Sequence, residues 1–205
     1  MKQVNQPTKA RILLIGLVIL ACLLLIKPSY LYAKSVLAQL LLNHAWQKSL
    51  VQNGDNDHKY LPWQWADSYP VAKLSYIKGN DHSVKNWIIL AGMTGRSMAF
   101  APAWLEDSAK PNQYGNTVIS AHNDSHFDVL ESAELGDELV LEDRQGKQIT
   151  YRVATIEIVA EQNSEPYLFQ DETMLTLITC YPFTTTNTAK SQRLVIQAVA
   201  IETVF

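Results

Sequence analysis

Three side chains that could support nucleophilic catalysis stand at the ends of apolar, strand-like runs in the C-terminal part of the chain. Cys180 closes one run, His122 follows a second and Arg193 opens a third, while Cys22 is the one other cysteine in the sequence. A thiol becomes a strong nucleophile when it ionises, and a paired imidazole or a nearby cation promotes that ionisation. We therefore regard Cys180, His122 and Arg193 as candidate catalytic residues.

The number and order of these residues weaken other interpretations. A zinc site needs about four Cys, His or carboxylate ligands at short spacing, whereas Cys180 is accompanied only by His122 and His126. Papain-type proteases place the Cys before the His, which is the reverse of the order here. Each residue alone also has a structural interpretation: Cys180 as a small buried apolar residue, His122 as a hydrogen-bonded strand-end residue and Arg193 as a salt-bridge partner. His126 is expected to be a turn residue without a catalytic role.

The N-terminus carries a candidate membrane segment. An apolar run occupies residues 12–26, basic residues flank it, and no acidic residue occurs before Asp55. The run is shorter than the ~20 residues of a typical spanning helix, so a membrane anchor and a secretory signal both fit it, and both export the rest of the chain. Because only Ala33 suits a cleavage site, we favour a retained single-pass anchor in the inner (cytoplasmic) membrane, with the catalytic domain on the periplasmic side.

The sequence divides into three parts. Residues 1–34 are predicted to be a cytoplasmic tip and transmembrane anchor, residues 35–58 a helical stalk or linker, and residues 59–205 one catalytic domain. The helical pattern in residues 35–50 fits both a stalk and a helix packed on the domain. Residues 35–205 hold eight more acidic than basic residues, which disfavours nucleic acid as a partner.

The domain has the pattern of a β-protein. Short runs rich in β-branched and apolar residues alternate with turn signals, and few segments have a helical period. The predicted strands are residues 71–77, 84–90, 116–121, 138–142, 148–160, 174–179 and 194–202. Short helices are expected at residues 126–131 and 101–107. This spacing predicts an antiparallel sandwich or barrel.

The motifs around the three candidate residues resemble those of the sortases, the membrane-anchored cysteine transpeptidases of bacteria. The resemblance covers most of the chain beyond about residue 60, and its details are similar to the proteobacterial branch. Ala121 and Asn123 depart from it, since Gly is commoner before the His and Arg after it. The motifs that carry the resemblance are Thr176-Leu177-Ile178-Thr179-Cys180, His122 with Asp124, Arg193 at the start of the last strand, Tyr181-Pro182-Phe183, and residues 92–100.

The resemblance implies an all-β fold, an eight-stranded barrel with short helices preceded by a transmembrane helix. It implies that Cys180 attacks an LPxTG-like sorting signal at the C-terminus of a surface protein, that His122 is the general acid and base, and that Arg193 stabilises the oxyanion. It further implies that Thr179 and Tyr181 bind substrate, that an amine accepts the acyl group, and that neither a metal nor a cofactor is needed. Two alternatives remain: a thiol hydrolase or protease of the same fold, and a catalytically silent peptide-binding membrane domain.

Overall fold

The computed structural model describes residues 6–51, 58–80, 82–168, 172–183 and 191–201. Within these residues one α-helix precedes eight β-strands, and three short 3-10 helices lie between the later strands. The α-helix is α1 (Gln6–Val51), and the strands are β1 (Pro70–Ile77), β2 (Val84–Ala91), β3 (Ala103–Trp104), β4 (Asn116–Ser120), β5 (Glu138–Asp143), β6 (Gln148–Ala160), β7 (Met174–Tyr181) and β8 (Gln192–Ala200). The 3-10 helices are Asp128–Ser132, Glu161–Asn163 and Glu165–Tyr167.

Helix α1 is continuous through Pro28. Within the described residues it is the one helix long and apolar enough to cross a membrane, with a mean hydropathy of 2.6 in its most apolar window. This finding agrees with the predicted N-terminal transmembrane helix. The chain divides into two compact units, Met1–Leu40 and Leu41–Phe205, while the predicted roles of residues 1–34, 35–58 and 59–205 stay predictions.

The end of α1 belongs to the second unit and packs on its strands. Leu42 is fully buried and forms a small apolar cluster with Leu90 and Ala101, and Trp46 is also buried. Burying these side chains removes apolar surface from water, which favours docking of the last helical turns. Residues 41–51 therefore contact the domain through these buried side chains.

The eight strands close into a barrel in the order β1-β2-β3-β4-β7-β8-β6-β5. The barrel confirms the predicted fold class, and all seven predicted strands are present with ends within two residues of those expected. Two details differ from the sequence prediction. The pairs β2–β3 and β4–β7 are parallel, so the sheet is mixed rather than antiparallel. Residues 101–107 contain the buried strand β3 instead of a helix, because Ala103 and Trp104 pair on both sides with neighbouring strands.

The apolar side chains of the barrel strands form two separate clusters, because successive side chains of a strand point to opposite faces of the sheet. The barrel interior is filled by the larger cluster, which includes Leu177 of β7 and Leu194 and Ile196 of β8. A second set, which we call the outer cluster, lies on the outside of the barrel wall. It consists of Val118, Ile178 and Val195, with Leu105, Val159, Tyr167 and Leu168 packed against them.

A buried carboxylate fastens the β1–β2 connection to the segment before β5. The side chain of Asp137 accepts hydrogen bonds from the hydroxyl of Tyr76 and from the backbone N–H groups of Gly79 (2.8 Å) and Glu134 (2.9 Å). Burial by itself raises the pKa of Asp137, but these hydrogen bonds to the charged form outweigh it and leave the pKa below its usual value of 3.8. The stabilisation from this carboxylate is therefore present above about pH 4 and is lost as the pH falls through the lower pKa of the folded state.

We expect Asp137→Asn to lower the free energy of unfolding by about 3 kcal/mol, because the amide NH₂ would face donors that now bind an oxygen. Urea denaturation at pH 7 measures this loss, and the gap between the two proteins should narrow toward pH 3. The matched control is Glu138→Gln, which alters an exposed carboxylate and should shift the unfolding midpoint little. An Asp137→Asn protein as stable as the parent at pH 7 would contradict the assignment.

Candidate active site

Cys180 and Arg193 are direct partners across the β7–β8 ladder. Both continue rows of side chains on the outer face of the barrel, since Ile178 lies two residues before Cys180 and Val195 two residues after Arg193 in the outer cluster. Residues opposite each other in an antiparallel pair have neighbouring side chains on the same face. The thiol and the guanidinium therefore share one patch of the outer face, and Cys180 is half-buried there as a free thiol.

His122 reaches the same edge of the barrel through the parallel pairing of β4 with β7. The last paired residues are Ser120 and Ile178, and the N–H of Ala121 donates to the carbonyl of Ile178 (3.3 Å). Paired parallel strands end at the same edge of a sheet. His122 lies two residues beyond Ser120, and Cys180 lies two residues beyond Ile178, so both lie at this edge. The backbone positions of His122, Cys180 and Arg193 thus converge, and His122 is exposed to solvent.

Two side-chain hydrogen bonds tie the chain around His122 to the end of β7. The hydroxyl of Thr179 donates to the carbonyl of Ala121 (2.7 Å), and the side-chain NH₂ of Asn123 donates to the carbonyl of Pro182 (3.1 Å). Both side chains are buried, with exposed fractions of 1% and 5%. Breaking such a buried bond leaves a polar group without its partner, which costs about 1–3 kcal/mol. The residues on both sides of His122 are therefore held firmly against the strand that carries Cys180.

Thr179 and Tyr181 do not lie on the face that carries Cys180. Tyr181 is half-buried against the inner apolar cluster, and its ring contacts that of Phe183 edge-on at 6.3 Å between centroids. The side chain of Thr179 is buried and its hydroxyl is engaged with Ala121. The predicted substrate-binding role of Thr179 and Tyr181 stays a prediction, and the structure shows both residues supporting the edge of the barrel from inside.

Arg193 makes a close ion pair with Glu161, a partner that the sequence did not indicate. Its Nη2 lies 2.5 Å from Oε1 of Glu161, and its Nη1 donates to the carbonyl of Gln192 (3.0 Å). The Arg193 side chain is 20% exposed and that of Glu161 60%. Glu161 begins the short 3-10 helix directly after β6, and an acidic residue at a strand end is too common to be singled out from sequence.

The segment after Glu161 covers the outer cluster beside this patch. Tyr167 and Leu168 pack on the cluster, and Asn116 at the start of β4 fixes them by donating from its side chain to the carbonyls of Tyr167 (2.7 Å) and Leu168 (3.2 Å). The oxygen of the same buried amide accepts a hydrogen bond from Thr176 (2.8 Å). Residues 161–168 therefore form a wall that is held to the strands at both of its ends.

His126 differs from His122 in its surroundings. It is half-buried, and burial lowers its pKa below the usual 6.5, an effect that the nearby imidazole of His122 reinforces and that Asp128 and Asp124 partly oppose. His126 is consequently mainly neutral at pH 7. This environment agrees with the expectation that His126 is a packed turn residue.

A cavity among the described residues lies away from this patch. It has a volume of about 480 Å³, contains none of the three candidate residues, and is lined by Lys59, Tyr69, Val71, Trp104, Glu106, Lys110, Pro111, Gln113 and residues 143–145. In the part of the chain that the structure describes, no three His, Cys, Asp or Glu side chains are grouped closely enough to hold a metal ion.

The structure is a closed eight-stranded barrel with a free thiol at the end of one strand. Comparison with known proteins identifies its family. A family description for the sortase domain matches residues 81–201. The catalytic domain of B. anthracis SrtD is 30% identical, with a TM-score of 0.52 over 64% of this chain and 87% of that one. The chain belongs to the sortase family. No curated protein sequence matches it.

Two further solved structures share the fold at lower identity. Sortase A from Corynebacterium diphtheriae is 22% identical, with a TM-score of 0.55 over 80% of this chain and 84% of that one. A Clostridium perfringens sortase D5 transpeptidase is 14% identical, with a TM-score of 0.59 over 78% and 98% of the two chains. At these identities the likeness concerns the barrel alone.

Proposed function

We propose that the chain is a membrane-anchored sortase that cleaves an LPxTG-like sorting signal through a thioester on Cys180 and transfers the acyl group to an amine. The observation that carries the proposal is the direct pairing of Cys180 with Arg193 on the outer face. This pair lies at the edge of the barrel where β4 ends and His122 follows. A nucleophile, an acid–base group and a cation at one strand edge are the parts that acyl transfer requires.

In the first half of the reaction the Cys180 thiolate attacks the carbonyl carbon of the scissile peptide bond. The negative charge that develops on the carbonyl oxygen is stabilised by N–H groups of Arg193. His122 then protonates the leaving amine, the C–N bond breaks, and the thioester remains on Cys180. The released fragment departs with the new amine.

In the second half an incoming amine attacks the thioester while His122 accepts its proton. The C–S bond breaks, the Cys180 thiolate is restored and a new amide is formed, so the cycle needs no external oxidant or reductant. Thr179 and Tyr181 keep in this proposal the substrate-binding role that the motif implies, and the hydrogen bond from Thr179 to Ala121 also holds the barrel edge in place. The basic flanks of the N-terminal helix support an anchor in the cytoplasmic membrane with the domain on the periplasmic side.

Transfer and hydrolysis are separated by the fate of the thioester. An amine must outcompete ~55 M water, and only an amine oriented close to the thioester gains the required effective molarity. We expect a peptide with a Leu-Pro-x-Thr-Gly sequence, mixed with several primary amines in turn, to give an amide product that increases with amine concentration at the expense of free acid. Chromatography with mass detection of both products checks this.

The protein with Cys180→Ala is the control for this reaction and should form neither product. Free acid alone at every concentration of every amine would identify a thiol hydrolase of the same fold. A peptide that binds but is never cleaved, even in a library that varies each position of the signal, would identify a silent binding domain.

A further inference from the structure

Glu161 lies where it can control the orientation of Arg193. Its backbone N–H donates to the carbonyl of Ser191 (2.8 Å), which extends the β6–β8 ladder one step beyond the pair Ala160 and Gln192. Val159, two residues earlier, is the direct partner of Arg193. Because side chains alternate along a strand, Glu161 follows Val159 on the outer face and is the diagonal neighbour of Arg193.

The ion pair of Glu161 with Arg193 is the most enclosed of those that the described residues form. The Arg193 side chain is 20% exposed, whereas the arginines of the other two pairs, Arg96 with Asp67 and Arg152 with Glu138, are 79% and 55% exposed. Exposed pairs contribute little because water screens them and their long side chains are mobile. A pair with one enclosed partner loses less to screening and is better able to define the geometry of the guanidinium.

The contacts of Arg193 determine the plane of its guanidinium. One terminal nitrogen is bound to Glu161 and the other to the carbonyl of Gln192. The five N–H donors of a guanidinium have fixed directions within one plane, so two bound nitrogens determine where the group as a whole points. Of these two acceptors only Glu161 is a side chain, and it is therefore the one that mutation can remove.

We infer that Glu161 is a positioning residue that aims the Arg193 guanidinium at the carbonyl oxygen attacked by Cys180. This inference rests on the proposed role of Arg193. The carboxylate has a second effect, since its negative charge partly offsets the positive charge that Arg193 places opposite the thiol. Neutralising Glu161 should thus impair oxyanion stabilisation and at the same time favour the Cys180 thiolate.

These two effects have opposite signs and can be measured separately. We expect Glu161→Ala to lower kcat for peptide transfer by about tenfold, less than the ~10²-fold or more expected for losing an oxyanion donor. Glu161→Gln, which keeps an acceptor oxygen, should have an intermediate kcat. In both variants the pH midpoint for alkylation of Cys180 by iodoacetamide should move to lower pH. A purely structural role for Glu161 would lower transfer without that shift of the midpoint.

Two controls test whether the effect of Glu161 on kcat depends on Arg193. Glu138→Ala removes the acidic partner of an exposed ion pair and should leave both kcat and the alkylation midpoint unchanged. In a protein that already carries Arg193→Ala, adding Glu161→Ala should cause little further loss, because the effects of residues in contact are not additive. A full tenfold loss in that background would show that Glu161 acts independently of Arg193.

The results also separate this inference from the proposed function. A parent protein that alkylates normally but never transfers a peptide would overturn the proposed function. A parent that transfers, together with Glu161→Ala and Glu161→Gln proteins that have the parent kcat and alkylation midpoint, would overturn the inference about Glu161 alone.

Discussion

Replacing Cys180 by Ala is expected to abolish peptide transfer, because without the thiol no thioester can form. In enzymes that use a covalent intermediate, removing the nucleophile lowers the rate on the order of 10⁶-fold. The fold should tolerate the change, since Cys180 is half-buried on the outer face and Ala removes a single heavy atom. We expect a loss in the free energy of unfolding of about 1 kcal/mol or less. Peptide turnover and a thermal unfolding curve check the two statements.

Cys22 provides the matched control for this experiment. It is the other cysteine of the chain, and it is a free thiol in the N-terminal helix. Cys22→Ala should retain full transfer activity. In the parent protein, a peptidyl electrophile should form a covalent adduct that peptide mapping by mass spectrometry locates at Cys180. Retained activity in the Cys180→Ala protein, or an adduct found only at Cys22, would remove the basis of the proposed mechanism.

The barrel could be predicted from the sequence because most of its strands have an independent local signal. Strand β6 alternates on each side of an irregularity between Val153 and Thr155 and ends at Ala160, as expected. Strand β7 begins at Met174, the first residue of its apolar run. Strand β3 was missed because two residues are too few for alternation to show. The parallel pairing of β4 with β7 also has no local signal, since it joins segments that are far apart in the chain.

The candidate site likewise contains residues that could be identified from the sequence and residues that could not. Cys180, His122 and Arg193 could be selected because each stands at the end of a recognisable strand within a family motif. Glu161 and Asn123 could not, since their importance depends on partners brought close by the fold. Asn123 was noticeable only as a departure from the family pattern, and the structure gives it a definite contact, the carbonyl of Pro182 just beyond the thiol. Supporting residues of this kind are visible only when the strand register is known.

The second large effect is expected from His122→Ala, which should lower transfer by about 10²-fold or more, because a positioned general acid and base contributes on that scale. The side chain is exposed, so its loss should leave the fold intact. The backbone around it stays anchored through Thr179 and Asn123. Steady-state kinetics of amide formation, together with circular dichroism spectra, measure the effect.

His126→Ala is the matched comparison, since it removes an imidazole only four residues away that burial keeps mainly neutral. A packed turn residue contributes to stability rather than to proton transfer, so the rate should fall far less than in the His122→Ala protein. Because the side chain of His126 is more buried than that of His122, its removal should lower the free energy of unfolding more. The His126→Ala protein should therefore unfold at a lower urea concentration than the His122→Ala protein. If His126→Ala lost as much activity as His122→Ala with an undisturbed circular dichroism spectrum, the acid–base role would belong to His126, and the parallel register of β4 and β7 would no longer identify the catalytic imidazole.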